Sequence, residues 1–397
     1  MGKKFKPAGI DDDVINLDFE HYGGGKNCQT SALQRQMNHY GLKISEPMLF
    51  GIGSGLGFIY WYMKRMHAPF AGGMNSGKFP GLIGRIINRL GGSWKVLKTS
   101  STKRAHKHLK SVLQKNQPAF VCADMAYLPH LLTGEDDHFG QHTFLVIGID
   151  EQIDEAYLSD RFEGVVTMPL SQLQKARASK YQPFPANNQM LNVEFPVALP
   201  DLKQLIPTAI KDNCDYMLNP PIRNMGCSGI RKWAKELPKY PKFIADKRTL
   251  VRALMEHYIY IETGGSGGAL FRRLYSDFLL ESAKILGDSR LSETAREYEK
   301  IADKWTQIAN NLLPEHCEAL NGLRHIQFRI NEMLENKGLK SLSAAEELAQ
   351  NVPTLIDQAE HEDISQFDKI IEPVIEQLLM VADEEERVLK ELLQYNS

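Results

Sequence analysis

The sequence predicts an α+β domain followed by an all-helical domain. The chain has 397 residues, which is more than one ordinary hydrophobic core supports, so two domains are expected. The strongest β signals, at residues 142–149 and 155–161, fall in the first half of the chain. From Leu202 onward, apolar residues recur at helical spacings of three and four. We therefore predict an α+β domain at residues 1–197 and a helical domain at residues 198–397.

Within the first half, the patterns predict strands alternating with helices. The segment 142–149 is apolar at nearly every position, which is typical of a central strand covered on both faces. A turn at residues 150–154 would join it to 155–161 in an antiparallel hairpin. Helices are predicted over residues 29–40, 80–90 and 103–115, and further strands over 94–98 and 118–123. In the second half, helical spacing covers residues 269–286, 291–312, 316–336, 342–360 and 364–394.

Composition and charge exclude several classes of protein. Hydrophobic residues make up 43% and charged residues 24% of the chain, with a net charge of −2, as in ordinary globular proteins. No apolar run is long enough for a transmembrane helix, and no dense basic stripe suggests nucleic-acid binding. Acidic residues at 11–13 precede any apolar stretch, so a secretory signal is not expected. We expect a cytoplasmic protein. Its oligomeric state is left open, with a homo-oligomer as one possibility.

The five cysteines indicate a reducing environment. They are scattered, odd in number and never in a Cys-x-x-Cys spacing, which argues against a disulfide framework or a zinc knuckle. They lie at positions 28, 122, 214, 227 and 317. No metal and no cofactor are predicted.

Cys28 is the candidate nucleophile. It follows three glycines at residues 23–25 and stands where the helix of 29–40 begins. The unpaired amides and positive dipole end of a helix start favour the thiolate, and the same amides suit an oxyanion. Asn27 offers a side-chain amide to an oxyanion hole, although a plain turn residue explains it equally. A buried, inert cysteine is the alternative interpretation of Cys28.

His142 and Asp160 are the candidate base and its orienting group. His142 opens the buried strand, and Asp160 lies near the end of the next one. An antiparallel hairpin would bring them together, with one imidazole nitrogen toward the thiol and the other held by the carboxylate. His130 and His138 are rival bases, but both fall in a polar loop at residues 129–140 where solvent exposure explains them.

A glycine-rich turn in the second half is a candidate substrate-binding element. Residues 264–268 read Gly-Gly-Ser-Gly-Gly and precede Arg272 and Arg273. The amide of Gly265 and the charge of Arg272 would suit an anionic phosphate. The competing interpretation is an ordinary turn between two helices.

Several motifs together resemble a known family. Gly25-Lys-Asn-Cys28, the glycine-rich run at 49–58, Asp124-Met-Ala-Tyr-Leu-Pro129 and His138-Phe-Gly-Gln-His142 resemble the N-terminal domain of the butirosin-biosynthesis acyltransferase family. Relatives of that domain are papain-like and similar to peptidases that cut double-glycine leader peptides. The second half resembles the domain of unknown function that often follows it, through residues 264–268, 272–278 and Trp305.

The resemblance implies a papain-like core and acyl transfer. An acyl group would pass from the phosphopantetheine thioester of an acyl carrier protein to Cys28 and then to a small-molecule amine, with His142 as base and Asp160 as its orienter. One departure is Tyr22, which stands where papain-like peptidases place an oxyanion-hole glutamine. A cysteine hydrolase (amidase, peptidase or thioesterase) and a binding protein without turnover are the alternatives.

Overall fold

The structure, a computed structural model, describes residues 13–64, 66–134 and 137–395. Contacts divide the chain into two compact units. The sheet unit comprises residues 1–46, 78–200 and 333–346, and the helical unit comprises 47–77, 201–332 and 347–397. The chain thus changes units at 200/201, close to the predicted boundary at 197/198, but it also does so at four places that the sequence did not indicate. The acidic segment used in the localisation argument lies mostly outside the described residues.

Nine strands are present in the part of the chain that the structure describes. They are β1 (Val14–Asn16), β2 (Ile59–Trp61), β3 (Phe70–Gly72), β4 (Ser93–Leu97), β5 (Ala119–Ala123), β6 (His142–Asp150), β7 (Glu155–Ser159), β8 (Val166–Pro169) and β9 (Met190–Glu194).

Helices occur in both units. They are α1 (Cys28–His39), α2 (Glu46–Ile52), α3 (Gly81–Arg89), α4 (Thr102–Leu113), α5 (Leu170–Ala178), α6 (Leu202–Leu218), α7 (Gly226–Glu236), α8 (Tyr240–Phe243), α9 (Lys247–Tyr258), α10 (Arg272–Leu286), α11 (Ser289–Leu312), α12 (Glu318–Lys337), α13 (Leu342–Ala349), α14 (Val352–His361) and α15 (Phe367–Tyr395).

The sheet unit is built on a seven-stranded antiparallel sheet with β6 near its centre. The strand order is β4-β9-β5-β6-β7-β8, and β1 pairs with the end of β6. Every residue of β6 from 142 to 149 is buried, as expected for a strand covered on both faces. Strands β6 and β7 form the predicted hairpin, with Leu145 opposite Ser159. The fold is therefore mixed α and β, with its sheet in the N-terminal half.

Helices cover both faces of this sheet and fix its ends. Alternate residues of β5 and β6, including Val121 and Phe144, form an apolar core with Leu109 of α4 and Leu173 of α5. Helix α1 packs against β6. This packing holds the start of α1 near the start of β6, and these two ends carry the candidate site.

The helical unit has its own core, in which Phe58 lies close to two tryptophans. Its ring centroid is 6.0 Å from that of Trp233 and 5.8 Å from that of Trp305. The two-stranded sheet of β2 and β3 also belongs to this unit. Among the described helices, none combines the length and apolar character needed to cross a bilayer.

Candidate active site

Cys28 is the first residue of α1, and Asn27 caps that helix. The Asn27 Oδ1 accepts from the N–H groups of Gln29 and Thr30, at 3.0 and 3.3 Å. Those two amides are therefore engaged by the cap, whereas the N–H of Cys28, at the first helical position, has no acceptor inside the helix. Cys28 itself is partly exposed. A nucleophile placed there can meet a substrate, and its own amide is positioned to serve as an oxyanion donor.

Glu46 holds the loop that leads into Cys28. Its Oε2 accepts from the Lys26 N–H at 2.9 Å, and its Oε1 accepts from the Asn27 N–H at 2.8 Å and from the Thr30 hydroxyl at 2.7 Å. Glu46 is 6% exposed, so these charge-assisted bonds form away from bulk water. Sequence reasoning missed this residue, because nothing local to Glu46 indicates that it reaches back 16 to 20 positions.

His142 and Asp160 meet as the hairpin geometry predicts. His142 is the first residue of β6, and Asp160 directly follows β7. The His142 Nε2 lies 2.7 Å from Asp160 Oδ2, and His142 also forms a hydrogen bond with Cys28. Because Nε2 faces the carboxylate, Nδ1 is the nitrogen that serves the thiol. The structure therefore brings Cys28, His142 and Asp160 into one connected arrangement.

The electrostatics of these three groups favour an ion pair between Cys28 and His142. Burial alone would raise the pKa of the Cys28 thiol, but the hydrogen bond to His142, its positive charge and the Thr143 backbone N–H lower that pKa below its ordinary value. Burial lowers the pKa of His142, yet the Asp160 charge and hydrogen bond, with Cys28, raise it to about 10. Despite its burial, Asp160 keeps a pKa well below its ordinary value because of the charge of His142 and the hydrogen bonds from both histidines.

His130 is a second partner of Asp160, and the expectation that solvent exposure explains it is wrong. It is 1% exposed, and its Nε2 lies 2.9 Å from the same Asp160 Oδ2. Its Nδ1 is buried without a hydrogen-bond partner among the described residues. Nε2 is therefore the nitrogen that donates to Asp160, and this hydrogen bond helps to lower the pKa of that carboxyl. A buried histidine inside a polar loop leaves no periodic signal in the sequence.

The other rival base, His138, has a separate role. Its Nδ1 lies 2.9 Å from Asp124 Oδ2, and its ring stacks on Tyr181 with 3.4 Å between centroids. These contacts tie down the loop that carries His130. They use a different carboxylate from the one that holds His142.

The same cluster contains the donors that a metal ion would use. The ligand atoms of His130, His142 and Asp160 all lie within 4.8 Å of one another. Both Nε2 atoms already hydrogen-bond to one carboxylate oxygen. The hydrogen bonds thus account for the clustering of these three groups, and no metal is needed to explain it.

Tyr22, at the position of the expected oxyanion glutamine, is engaged elsewhere. Its hydroxyl accepts from Asn38 Nδ2, and its carbonyl accepts from Arg35 Nη1 at 3.3 Å. The side-chain oxygen of Asn27 caps α1, and a contribution of its side-chain amide to an oxyanion hole stays a prediction.

Gly265 and Arg272 belong to the helical unit. Cys28, His142 and Asp160 belong to the sheet unit. Arg272 is fully buried, and its guanidinium donates to both carboxylate oxygens of Glu385 at 2.8 Å and to the Gly57 carbonyl at 2.9 Å. The sequence suggested that Arg272 binds a phosphate. The structure contradicts this, because the guanidinium donors of Arg272 are used by a buried carboxylate. Gly265 has a φ of +79°, which suits the turn interpretation.

Two family models match parts of the chain. Residues 27–161 match the family model described as butirosin biosynthesis protein H, N-terminal, and contain Cys28, His130, His142 and Asp160. Residues 171–336 match a domain of unknown function (DUF4872). The family resemblance drawn from the motifs is confirmed over these two segments. No curated protein matches it significantly.

Proposed function

We propose that this protein is a cysteine-dependent acyltransferase that moves an acyl group from a carrier-bound thioester to an amine. The observation that carries the proposal is the hydrogen-bonded series from Cys28 to His142 to Asp160, with the thiol pKa lowered. The family name connects the N-terminal domain with butirosin biosynthesis, which supports a role in making a specialised metabolite. Thiolate nucleophiles beside a base are the usual means of forming an acyl-enzyme.

In the first half-reaction, the Cys28 thiolate attacks the thioester carbonyl. The Cys28 N–H stabilises the resulting oxyanion. When the intermediate collapses, the carbon–sulfur bond to the donor breaks, and protonated His142 gives its proton to the departing thiolate. The products are an acyl-Cys28 and a neutral imidazole.

In the second half-reaction, an amine attacks the acyl-Cys28 carbonyl. Neutral His142 accepts a proton from the amine nitrogen, the Cys28 thiolate departs, and the amide is released. The thiolate and imidazolium are then restored together. Asp160, held by His130 and by the Arg161 N–H at 2.7 Å from its Oδ1, orients His142 throughout.

Intact-mass measurement of the protein tests the proposal. After incubation with acylated carrier proteins or acyl N-acetylcysteamine thioesters, we expect a mass increase equal to the acyl group, located on Cys28. Cys28→Ala should remove the adduct and turnover while leaving the melting temperature nearly unchanged. Addition of amines should then discharge the adduct with formation of an amide.

The same measurement separates the alternatives. An adduct discharged by water as fast in the absence of amine as in its presence would identify a hydrolase. Absence of any adduct across the thioester panel, together with an unreactive Cys28, would favour a binding protein.

A further inference from the structure

A small polar cavity lies beside the loop that precedes Cys28. Its volume is about 100 Å³, and it is lined by residues 24–26, by Arg161 and Phe162, and by Glu335 and Asn336. All of these residues belong to the sheet unit. Residue 26 is at most about 7 Å along the chain from residue 28, and Arg161 directly follows Asp160. The cavity is therefore lined by residues that adjoin both Cys28 and Asp160 along the chain.

The cavity has an excess of positive charge. Lys26 is paired with Glu335, at 3.2 Å between Nζ and Oε2. The guanidinium of Arg161 lies over the Phe162 ring, 4.4 Å from its centroid. Among the described residues, none provides Arg161 with a carboxylate or hydrogen-bond acceptor. One cation of the cavity is thus balanced within the protein, and the other is left for a ligand.

The backbone of Arg161 is fixed to the catalytic elements on both sides. Its N–H donates to Asp160 Oδ1 at 2.7 Å, and its carbonyl accepts from the Gly25 N–H at 3.1 Å. Gly25 itself has no room for a side chain, since a Cβ there would lie 2.5 Å from that of Ser31. The start of the Arg161 side chain is therefore held at a constant place relative to the nucleophile.

From these contacts we infer that Arg161 binds an anionic group that the substrate carries near its reacting carbonyl. A planar guanidinium over an aromatic ring is well suited to a carboxylate or phosphate. A carboxylate on the acyl chain would lie near the reacting carbonyl, whereas the phosphate of a phosphopantetheine donor lies at the far end of its arm and has the same anionic chemistry. The inference rests on the proposed acyl transfer and adds a substrate class to it.

Paired neutral and charged thioesters test the inference. Single-turnover acylation of Cys28 is measured with S-glutaryl N-acetylcysteamine and with its neutral amide, which has the same shape. A second pair compares S-acetyl phosphopantetheine with S-acetyl pantetheine. We expect the anionic member of one pair to react about tenfold faster, and the pair that shows the preference identifies the source of the anion.

Variants assign the preference to Arg161. Arg161→Gln should reduce it to within about twofold, and Arg161→Lys should retain part of it. Glu335→Gln should increase it, because the cavity loses its negative charge. Arg104→Gln, an exposed arginine on α4, should leave it unchanged. Equal rates within both pairs for the unmodified protein, or a preference that survives Arg161→Gln, would overturn the inference.

A failure of acyl transfer itself is recognised separately. If no thioester, charged or neutral, acylates Cys28, the proposed function fails. Anion binding is then measured by the protection of Cys28 from iodoacetamide. Protection by glutarate but not by its monoamide, lost in Arg161→Gln, would support the binding site, and no protection by glutarate would contradict it.

Discussion

Cys28 differs from the other four cysteines in both exposure and titration. Cys122, Cys214, Cys227 and Cys317 are buried, whereas Cys28 is partly exposed. Burial raises the pKa of each of these four thiols, that of Cys214 to about 12. The pKa of Cys28 alone is lowered. Of the five cysteines, only Cys28 therefore combines partial exposure with a lowered thiol pKa.

We predict that iodoacetamide alkylates Cys28 well before the other cysteines at pH 7. Because the thiolate is the reacting form, the rate should rise with pH through a pKa below the ordinary value of about 8.5. His142→Gln should move this rise to higher pH and slow the reaction at pH 6 by about tenfold or more, and the two rates should converge only above the raised thiol pKa of the variant. Peptide mass mapping over a pH series measures both effects. Uniform labelling of all five cysteines would contradict the assignment.

His130 allows a test of what stabilises the charge of Asp160. His130→Gln keeps an N–H donor toward Asp160, whereas His130→Phe does not, and both lack the imidazole. Since the pKa of Asp160 is held low partly by this donor, we expect the Gln variant to be more stable by about 1–3 kcal/mol at pH 7.

The stability difference between the Gln and Phe variants should change with pH in a definite direction. A carboxylate with a depressed pKa contributes stability above its unfolded pKa, and that contribution is lost as the pH falls through the folded value. The pKa of Asp160 should be depressed less in His130→Phe, so the gap between the variants should narrow with acidification. Urea unfolding from pH 7 to about pH 2 measures this stability difference, which changes only between the folded-state pKa values of Asp160 in the two variants. A gap independent of pH would assign His130 to packing alone.

The candidate site was predictable where its residues are close along the chain. His142 and Asp160 are joined by one hairpin, so the strand pattern sufficed to bring them together. His130 and Glu46 act over loops whose course depends on tertiary packing. A buried polar side chain that has a partner is indistinguishable in sequence from an exposed one. For the same reason Arg272, which pairs with Glu385 over 113 positions, was taken for a binding residue.

At the level of secondary structure, the start of α1 is the element on which reactivity depends. Glu46 binds the two amides immediately before Cys28 and the Thr30 hydroxyl. These bonds fix the direction in which the chain enters the helix. The N–H of Cys28 and the sulfur therefore keep a constant orientation relative to His142.

Glu46→Gln should weaken this arrangement while preserving size. One of its oxygens would become an NH₂ group facing an N–H or hydroxyl donor, so at least one buried donor loses its acceptor. We expect a loss of about 1–3 kcal/mol in the free energy of unfolding and slower alkylation of Cys28. Glu20→Gln, at an exposed position, controls for the loss of charge and should match the unmodified protein. Unchanged alkylation in Glu46→Gln would show that the loop is held by other contacts.

The whole molecule is divided at more places than the change in sequence pattern near residue 200. Residues 47–77 precede the change in texture near residue 200, yet they belong to the helical unit, and residues 333–346 return to the sheet unit. Apolar spacing reveals helices and strands, but it carries no information about which core each one joins. The predicted boundary at 197/198 marks one of five exchanges between units.

This division predicts that residues 1–200 do not form a stable domain when expressed alone. Segment 47–77 would lose its packing partners, which lie at residues 201–332. In the full chain, Asn213 accepts from the Leu56 N–H at 3.0 Å and donates to the Gly51 carbonyl at 2.9 Å. Phe58 is 1% exposed between Trp233 and Trp305. Exposing one such aromatic side chain alone costs about 1.5–3 kcal/mol.

The fragment should also lose one wall of the cavity beside Cys28, because Glu335 and Asn336 lie beyond residue 200. We therefore expect fragment 1–200 to bind a hydrophobic dye and to unfold without a cooperative transition. The full chain should not bind the dye and should unfold cooperatively. Co-expression with fragment 201–397 should restore solubility and Cys28 alkylation, since the missing partners of segment 47–77 are then supplied. A fragment 1–200 that unfolds cooperatively and alkylates like the full chain would mean that segments 47–77 and 333–346 contribute little to either core.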